Sequence, residues 1–150
     1  MSDSLTILKA SGFKGDLITP EDPDYESSIV RWSLSCQKRA QLVAFVKDEQ
    51  DIALVIKHAR ESNLPFAIKG GGHSTAGSSS SEGVVIDLSR YINTVEVDAD
   101  KKVAYVGGGA IWETVDKATC AKGLATVAGT VNHVCYSQFC VIFHSTKHIL

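Results

Sequence analysis

Residues 66 to 77 read Phe66-Ala67-Ile68-Lys69-Gly70-Gly71-Gly72-His73-Ser74-Thr75-Ala76-Gly77. An apolar run ends at Lys69, three glycines follow, and a His-Ser-Thr triplet leads to a fourth glycine. Glycine carries no Cβ and tolerates positive φ, so Gly70 to Gly72 predict a tight turn that a ligand can approach closely. Consecutive backbone N–H groups in such a turn form a concavity suited to anions, above all phosphate. Lys69 adds positive charge at one edge, and Ser74 and Thr75 add hydroxyl donors. His73, inside the same turn, would stand beside whatever is bound.

The residues leading into this turn set its context. Residues 41 to 46, Gln-Leu-Val-Ala-Phe-Val, read as a strand. Asp48 then opens an acid-rich first turn suited to a helix N-terminus. Ile52, Val55, Ile56 and Ala59 recur at helical spacing and make one apolar face, which Asn63 and Pro65 end. Residues 65 to 69 return as a buried strand, so the order is strand, helix, strand, glycine turn. That order is a βαβ unit, which presents its second turn at the carboxyl end of a strand.

Beyond the turn, Ser78 to Gly83 read as a flexible surface loop. Val84 to Leu88 make another strand, and Thr94 to Val97 with Val103 to Val106 predict a hairpin about Asp98-Ala-Asp-Lys-Lys. Its lysines and aspartates suit a solvated tip. Gly107 to Gly109 form a second glycine turn. A helix follows with Ile111, Val115 and Ala118 on one face, Trp112 in the core and Gly123 as its C-cap. Asp87, ending its strand, reads as a turn-capping carboxylate. Upstream, residues 1 to 24 predict a polar, extended and turning lead-in because Pro20 and Pro23 each disfavour helix before them. Tyr25 to Trp32 predict a short helical turn with its aromatic side chains on the core. From Cys135 to Leu150 there are no caps and no period of two or 3.6, so nothing specifies how that stretch packs.

Composition narrows the function classes. The 150 residues are 44% hydrophobic and 21% charged, as in an ordinary globular domain. A net charge of −2 gives no electrostatic reason to expect nucleic acid or an anionic membrane as partner. No apolar run approaches the roughly 20 residues that span a bilayer. Met1-Ser-Asp-Ser-Leu-Thr-Ile-Leu-Lys9 lacks an apolar signal core, which makes an intracellular setting the default. Cys36 and Cys120 accordingly read as free, buried thiols. Cys135, Cys140, His144 and His148 give C-x4-C-x3-H-x3-H, but a zinc finger needs about 12 residues between its cysteine and histidine pairs, so no metal is expected.

The turn is not G-x-G-x-x-G opening a helix, nor G-x-x-x-x-G-K-[ST]. Residues 38 to 134 do resemble the first part of the FAD-binding, PCMH-type domain of the vanillyl-alcohol-oxidase and p-cresol-methylhydroxylase superfamily, on its berberine-bridge-enzyme-like branch. The residues that carry the resemblance are Pro65-Phe-Ala-Ile-Lys-Gly-Gly-Gly-His-Ser74, Val85-Ile-Asp-Leu-Ser89, Val106-Gly-Gly-Gly-Ala-Ile-Trp112, Gly123-Leu-Ala-Thr126 and Gly129-Thr-Val-Asn-His133. The resemblance implies an α+β fold, a mixed sheet with two main flanking helices, between a lead-in over 1–37 and a divergent tail over 135–150. It implies FAD as cofactor, held by Lys69, Gly70, Gly71, Gly72, His73, Ser74, Thr75, Gly77, Gly129 and Thr130. The amides of the turn would cradle the pyrophosphate, and His73 would bond covalently to the 8α-methyl of the isoalloxazine. Alone, His73 would read as an ordinary loop histidine. Some relatives form a second flavin bond through a cysteine. Here Val131 takes that place, and Cys135, four positions later, does not inherit the role.

Two functional expectations follow. In one, the chain is the FAD-binding portion of a flavin-dependent oxidase of an alcohol, sugar or alkaloid-like substrate. In the other, it is a truncated, catalytically inactive fragment with weak nucleotide binding. Relatives continue from Asn132-His133 with glycine-rich sequence that wraps the flavin, whereas Cys135-Tyr-Ser-Gln138 stands here. Little retained flavin is therefore expected of these residues alone.

Overall fold

A computed structural model describes residues 2–127, 129–136 and 147–149. At its centre lie two short strands, β2 (Leu42–Phe45) and β4 (Val84–Asp87), every residue of which is buried. Continuous apolar strands of this kind belong inside a parallel sheet covered on both faces. They pair in parallel, Val43 opposite Val85 and Phe45 opposite Asp87. On the far side of β4 lies β3 (Phe66–Lys69), also parallel, with Lys69 opposite Asp87. β1 (Asp16–Ile18) pairs antiparallel with β2 and completes the order β1-β2-β4-β3, a mixed sheet.

Alternation along β2 supplies both faces. Leu42, Ala44 and Val46 pack with Val84, Ile86 and two helical residues, Val55 and Ala59. Val43 and Phe45 turn the other way, to Val85, Tyr25 and Ile29. Tyr25 opens α2 (Tyr25–Ser28), and its hydroxyl donates to the Ala40 carbonyl at 2.7 Å.

The crossover helix α3 (Glu49–Glu61) joins β2 to β3. Its N-terminus is capped as the sequence suggests: the Asp48 carboxylate accepts from the Asp51 amide at 2.9 Å. The Asp51 carboxylate, fully buried, accepts in turn from the amides of Lys14 and Lys47. Asn63 ends the helix in the left-handed region at φ 50°. A second sheet holds β5 (Val95–Asp98), β6 (Val103–Val106) and β7 (Lys147–Ile149), all antiparallel. α4 (Trp112–Cys120) follows β6 and buries Trp112, Val115 and Thr119. It ends in a Schellman closure, with Gly123 at φ 71° and the amides of Gly123 and Leu124 donating to Cys120 and Thr119.

Several sequence expectations are corrected. β3 is not a buried strand. It occupies the sheet edge, so Ala67 is covered by the core while Phe66 and Ile68 face out. The first 24 residues are not merely an extended lead-in. They include helix α1 (Ser2–Ala10), which places Leu8 in the core, and strand β1, whose ladder is made by tertiary pairing that a three-residue run does not announce. Trp32, expected in the core, is 63% exposed. Cys120 lies on the solvent side of α4, and Cys36 is half-buried; both are free thiols. The serine run is not a flexible surface loop, because Ser79, Ser80 and Ser81 are buried.

In the tail, Lys147–Ile149 forms a strand that the sequence does not signal. The expectations for Cys140 and His144 lie outside the described residues. Among the described residues no group of histidine, cysteine and acidic side chains is arranged to hold a metal ion, and no helix is long and apolar enough to cross a membrane.

Candidate cofactor site

Because β2, β3 and β4 run in parallel, their carboxyl ends converge at one margin of the sheet, the margin where ligands sit in open α/β sheets. The glycine turn leaves β3 there, with two cavities beside it. One, of about 370 Å³, is lined by Lys69, Gly70 and Gly71 and, from the second glycine turn and its helix, by Gly109, Ala110, Ile111 and Thr114. The other, of about 500 Å³, is lined by Trp32, His73, Gly129, Thr130, Val131, His133 and Val134.

The need for glycine is local and different at each position. At Gly71 a Cβ would stand 2.9 Å from the Cys135 Cβ and 3.0 Å from His73 Nδ1. Gly72 has φ 72°, which an L side chain rarely adopts, and its carbonyl accepts from the Trp32 amide at 3.2 Å. The second turn is pressed against the first β-sheet margin, since a Cβ on Gly109 would overlap the Leu88 carbonyl.

The neighbouring N-terminus of α4 is not a second anion site. Its first amides are already engaged: Trp112 donates to the Val134 carbonyl at 3.0 Å and Glu113 to the Asn132 carbonyl at 2.7 Å. Ile111 also bridges to Cys135, so the 132–136 segment is docked on the helix start.

The polar residues of the turn divide in role. Lys69 does not project a free charge into the cavity. Its ammonium sits 2.8 Å from the fully buried Asp87 carboxylate and 3.3 Å from the Ser89 hydroxyl. Asp87 also accepts from the Ser89 amide and hydroxyl, so it caps the following turn as well as pairing with the lysine. The Ser74 hydroxyl accepts from the Ser78 amide at 3.2 Å and hydrogen-bonds the Ser78 hydroxyl at 2.7 Å, which braces the turn internally. Thr75 is exposed, its carbonyl accepting from the Cys36 thiol at 2.8 Å, and Gly77 turns the chain at φ 76°. Neither Thr75 nor Gly77 lines either cavity.

His73 stands between Trp32, with ring centroids 6.5 Å apart, and His133, at 5.1 Å. Its Nδ1 is buried and has no hydrogen-bond partner among the described residues. Burial foremost, then the His133 ring and the Lys69 charge, hold the imidazole below its ordinary pKa. The nearby Gly71 carbonyl acts in the opposite sense without the geometry of a hydrogen bond to Nδ1. The imidazole is thereby biased toward its neutral form, and its buried Nδ1 is left without a partner among the described residues.

Residues 40–136 match the FAD binding domain family. The chain belongs to that family. It is 36% identical over 128 residues to the FAD-linked oxidoreductase YgaK of Bacillus subtilis, an alignment covering 85% of this chain and 28% of the relative. The crystal structure of 6-hydroxy-D-nicotine oxidase from Arthrobacter nicotinovorans superposes with a TM-score of 0.80 at 28% identity, covering 83% of this chain and 28% of that one. A berberine-bridge-enzyme-like protein of Physcomitrella patens shares the fold, with a TM-score of 0.80 at 18% identity over 89% of this chain and 29% of that one. The fold is thus the α+β, PCMH-type FAD-binding domain, and its cofactor is FAD. The chain spans somewhat over a quarter of the length of these relatives.

The residues present fit that cofactor. Gly70 and Gly71 put bare backbone into the wall of the smaller cavity, which a phosphate group can approach closely. The cavity beside it is walled by an indole, two imidazoles and two valines, surfaces that suit a flat aromatic ring system. One of those imidazoles carries an unpartnered nitrogen. Sequence reasoning did not single out Trp32, His133 or the Gly109–Ile111 wall as parts of a site. The signal available for the last was the second glycine turn, which like the first follows a strand.

Proposed function

We propose that this chain holds the diphosphate side of FAD for a flavin-dependent oxidoreductase, with His73 as the covalent anchor of the flavin ring. Gly70, Gly71, Gly72, His73 and Ser74 present backbone amides to the pyrophosphate, and Gly129 and Thr130 close the ring-side cavity. Lys69, tied to Asp87, fixes the end of β3 from which the turn departs. Thr75 and Gly77 shape the far side of the turn. The observation that carries the reading is the His73 imidazole in the wall of the larger of the two cavities beside the turn, biased toward its neutral form and with its Nδ1 unpartnered among the described residues. Bonding the imidazole to the 8α-carbon would release one proton from that methyl and one from the imidazole, with the electron pair taken up by the flavin and passed to dioxygen, and an imidazole protonated on both nitrogens has no lone pair for it. Once bound, the flavin supplies the hydride chemistry, and the protein supplies orientation and a fixed electrostatic setting. An alcohol, sugar or alkaloid-like carbon is the proposed class of hydride donor.

The test is direct. The chain is supplied with FAD, precipitated with acid, and the pellet is examined for flavin absorbance. Acid-stable flavin, however small the fraction, is expected in the natural sequence and not in His73→Ala. Flavin that binds but is wholly released by acid would overturn the covalent anchor and leave the FAD site standing.

A further inference from the structure

Arg31 is only 4% exposed, an unusual setting for a guanidinium. Among the described residues its hydrogen-bond partners are carbonyl oxygens. Nε and Nη2 both donate to Ser79, at 3.0 and 2.8 Å, and Nη1 donates to Val30 at 2.8 Å and to Ser28 at 3.4 Å. A buried charge ordinarily has a counter-charge, because desolvation without one is costly. Here carbonyl dipoles stand in for it.

The side chain also lies directly against the glycine turn. A Cβ on Gly72 would stand 3.3 Å from Arg31 Cδ and 3.2 Å from Lys69 Cε, so two cationic side chains pass the same residue. Lys69 is neutralised by Asp87 at 2.8 Å. Arg31 senses the Asp87 charge, but burial dominates and draws its pKa down. Among the described residues, two cations and one carboxylate leave one positive charge beside the turn with carbonyl dipoles but no paired carboxylate. The segment that Arg31 grips adds two buried hydroxyls, Ser79 Oγ and Ser80 Oγ, with no hydrogen-bond partner among the described residues.

We propose that Arg31 supplies the fixed positive charge that makes the Gly70–Ser74 turn a seat for a diphosphate. The inference rests on the FAD reading of that turn and assigns the charge to a residue 39 positions before Gly70 in place of Lys69 at its edge. Because its donors are occupied by carbonyls, Arg31 is a positioning residue and not a direct ligand. It acts through its field, and through the Ser79 carbonyl that it holds. Low local polarizability strengthens that field relative to water.

The full chain is titrated calorimetrically with inorganic pyrophosphate, FAD and riboflavin at low and high salt. Pyrophosphate and FAD are expected to bind, more weakly as salt rises. Arg31→Met should weaken both by about tenfold and flatten the salt dependence, leaving riboflavin unchanged, as for loss of one nearby fixed charge. Arg31→Lys keeps the charge without the fork on Ser79 and should restore most of the affinity. Equal pyrophosphate binding by Arg31→Met and the natural sequence would overturn the inference, and so would a lysine variant as weak as the methionine one. Should Arg31→Met fail to fold, NMR of the unaltered chain decides: the Arg31 Nε–H resonance is expected to shift with pyrophosphate, and an unmoved resonance overturns the role. Pyrophosphate binding without FAD binding would remove the FAD reading but not the charge. FAD binding that is indifferent to Arg31 would remove the charge role but not FAD. Binding of neither would overturn both.

Discussion

The rings of His73 and His133 stand 5.1 Å apart, centroid to centroid, and are inclined at 51°. Burial foremost, and the His133 ring after it, therefore disfavour the His73 cation. The folded state holds the His73 pKa below its ordinary 6.5, so near that pH the unfolded chain binds more protons than the folded one. This contribution to stability is complete above pH 6.5 and is lost as pH falls from there toward the lower folded value. Urea denaturation between pH 8 and pH 5 should show the natural chain losing stability below about pH 6.5, and His73→Gln losing less. Parallel pH profiles for the two would contradict the assignment.

Lys69 and Asp87 meet across adjacent parallel strands, directly in register, with the carboxylate fully buried. Asp87→Asn leaves the lysine ammonium with a weaker partner and the Ser89 cap altered, and should cost about 3 kcal/mol in denaturant unfolding. Replacing both, as Lys69→Met with Asp87→Asn, should cost less than the sum of the two single changes. A coupling energy of roughly 1–3 kcal/mol is expected from the double-mutant cycle. Strict additivity would show that the pair is not energetically linked.

Much of this arrangement is written in local patterns. Asp48 announces α3, the Val84–Asp87 run announces a buried strand, and Gly123 announces the end of α4, because capping and continuous burial act over a few residues. What local pattern does not carry is where each element is set in the sheet. Phe66 and Ile68 are as apolar as Val84 and Ile86, yet β3 is at the edge and β4 at the centre, since strand order is decided by tertiary packing. The serine run misleads for the same reason: composition suggests solvent, while Arg31 binds the Ser79 carbonyl and draws the run inward. In the site, the glycine turn and His73 were legible, but the neutralisation of Lys69 by Asp87 and the approach of Arg31 depend on residues far apart in sequence.

Gly109 is fixed by contact more than by dihedral angle. A Cβ there would collide with the Leu88 carbonyl and lie 2.8 Å from the Ser89 Cα, all of it backbone with nowhere to rotate. Gly109→Ala must therefore separate the second glycine turn from the end of β4. A loss of about 1–3 kcal/mol is expected in thermal or denaturant unfolding, as for an overpacked core site. Because Gly109 also lines the cavity beside Gly70 and Gly71, FAD affinity should fall with it. Gly123→Ala serves as the comparison: nothing lies within 4 Å of a Cβ there and only its φ of 71° opposes the change, so about 1 kcal/mol is expected with FAD affinity unaltered.

The position of β3 at the sheet edge can be tested by paired truncations at one register. Ile86 on β4 and Ile68 on β3 are direct neighbours in the ladder, yet Ile86 is fully buried while Ile68 is 52% exposed. Ile86→Ala removes methylene groups from the interior between the sheet and α3 and should cost about 2–5 kcal/mol. Ile68→Ala removes the same atoms from a side chain that remains half in water, and the expected cost is about 1 kcal/mol or less. Both are read from urea unfolding with a common m-value. Equal losses at the two positions would mean that Ile68 is covered in solution, and that the outer face of β3 is not free.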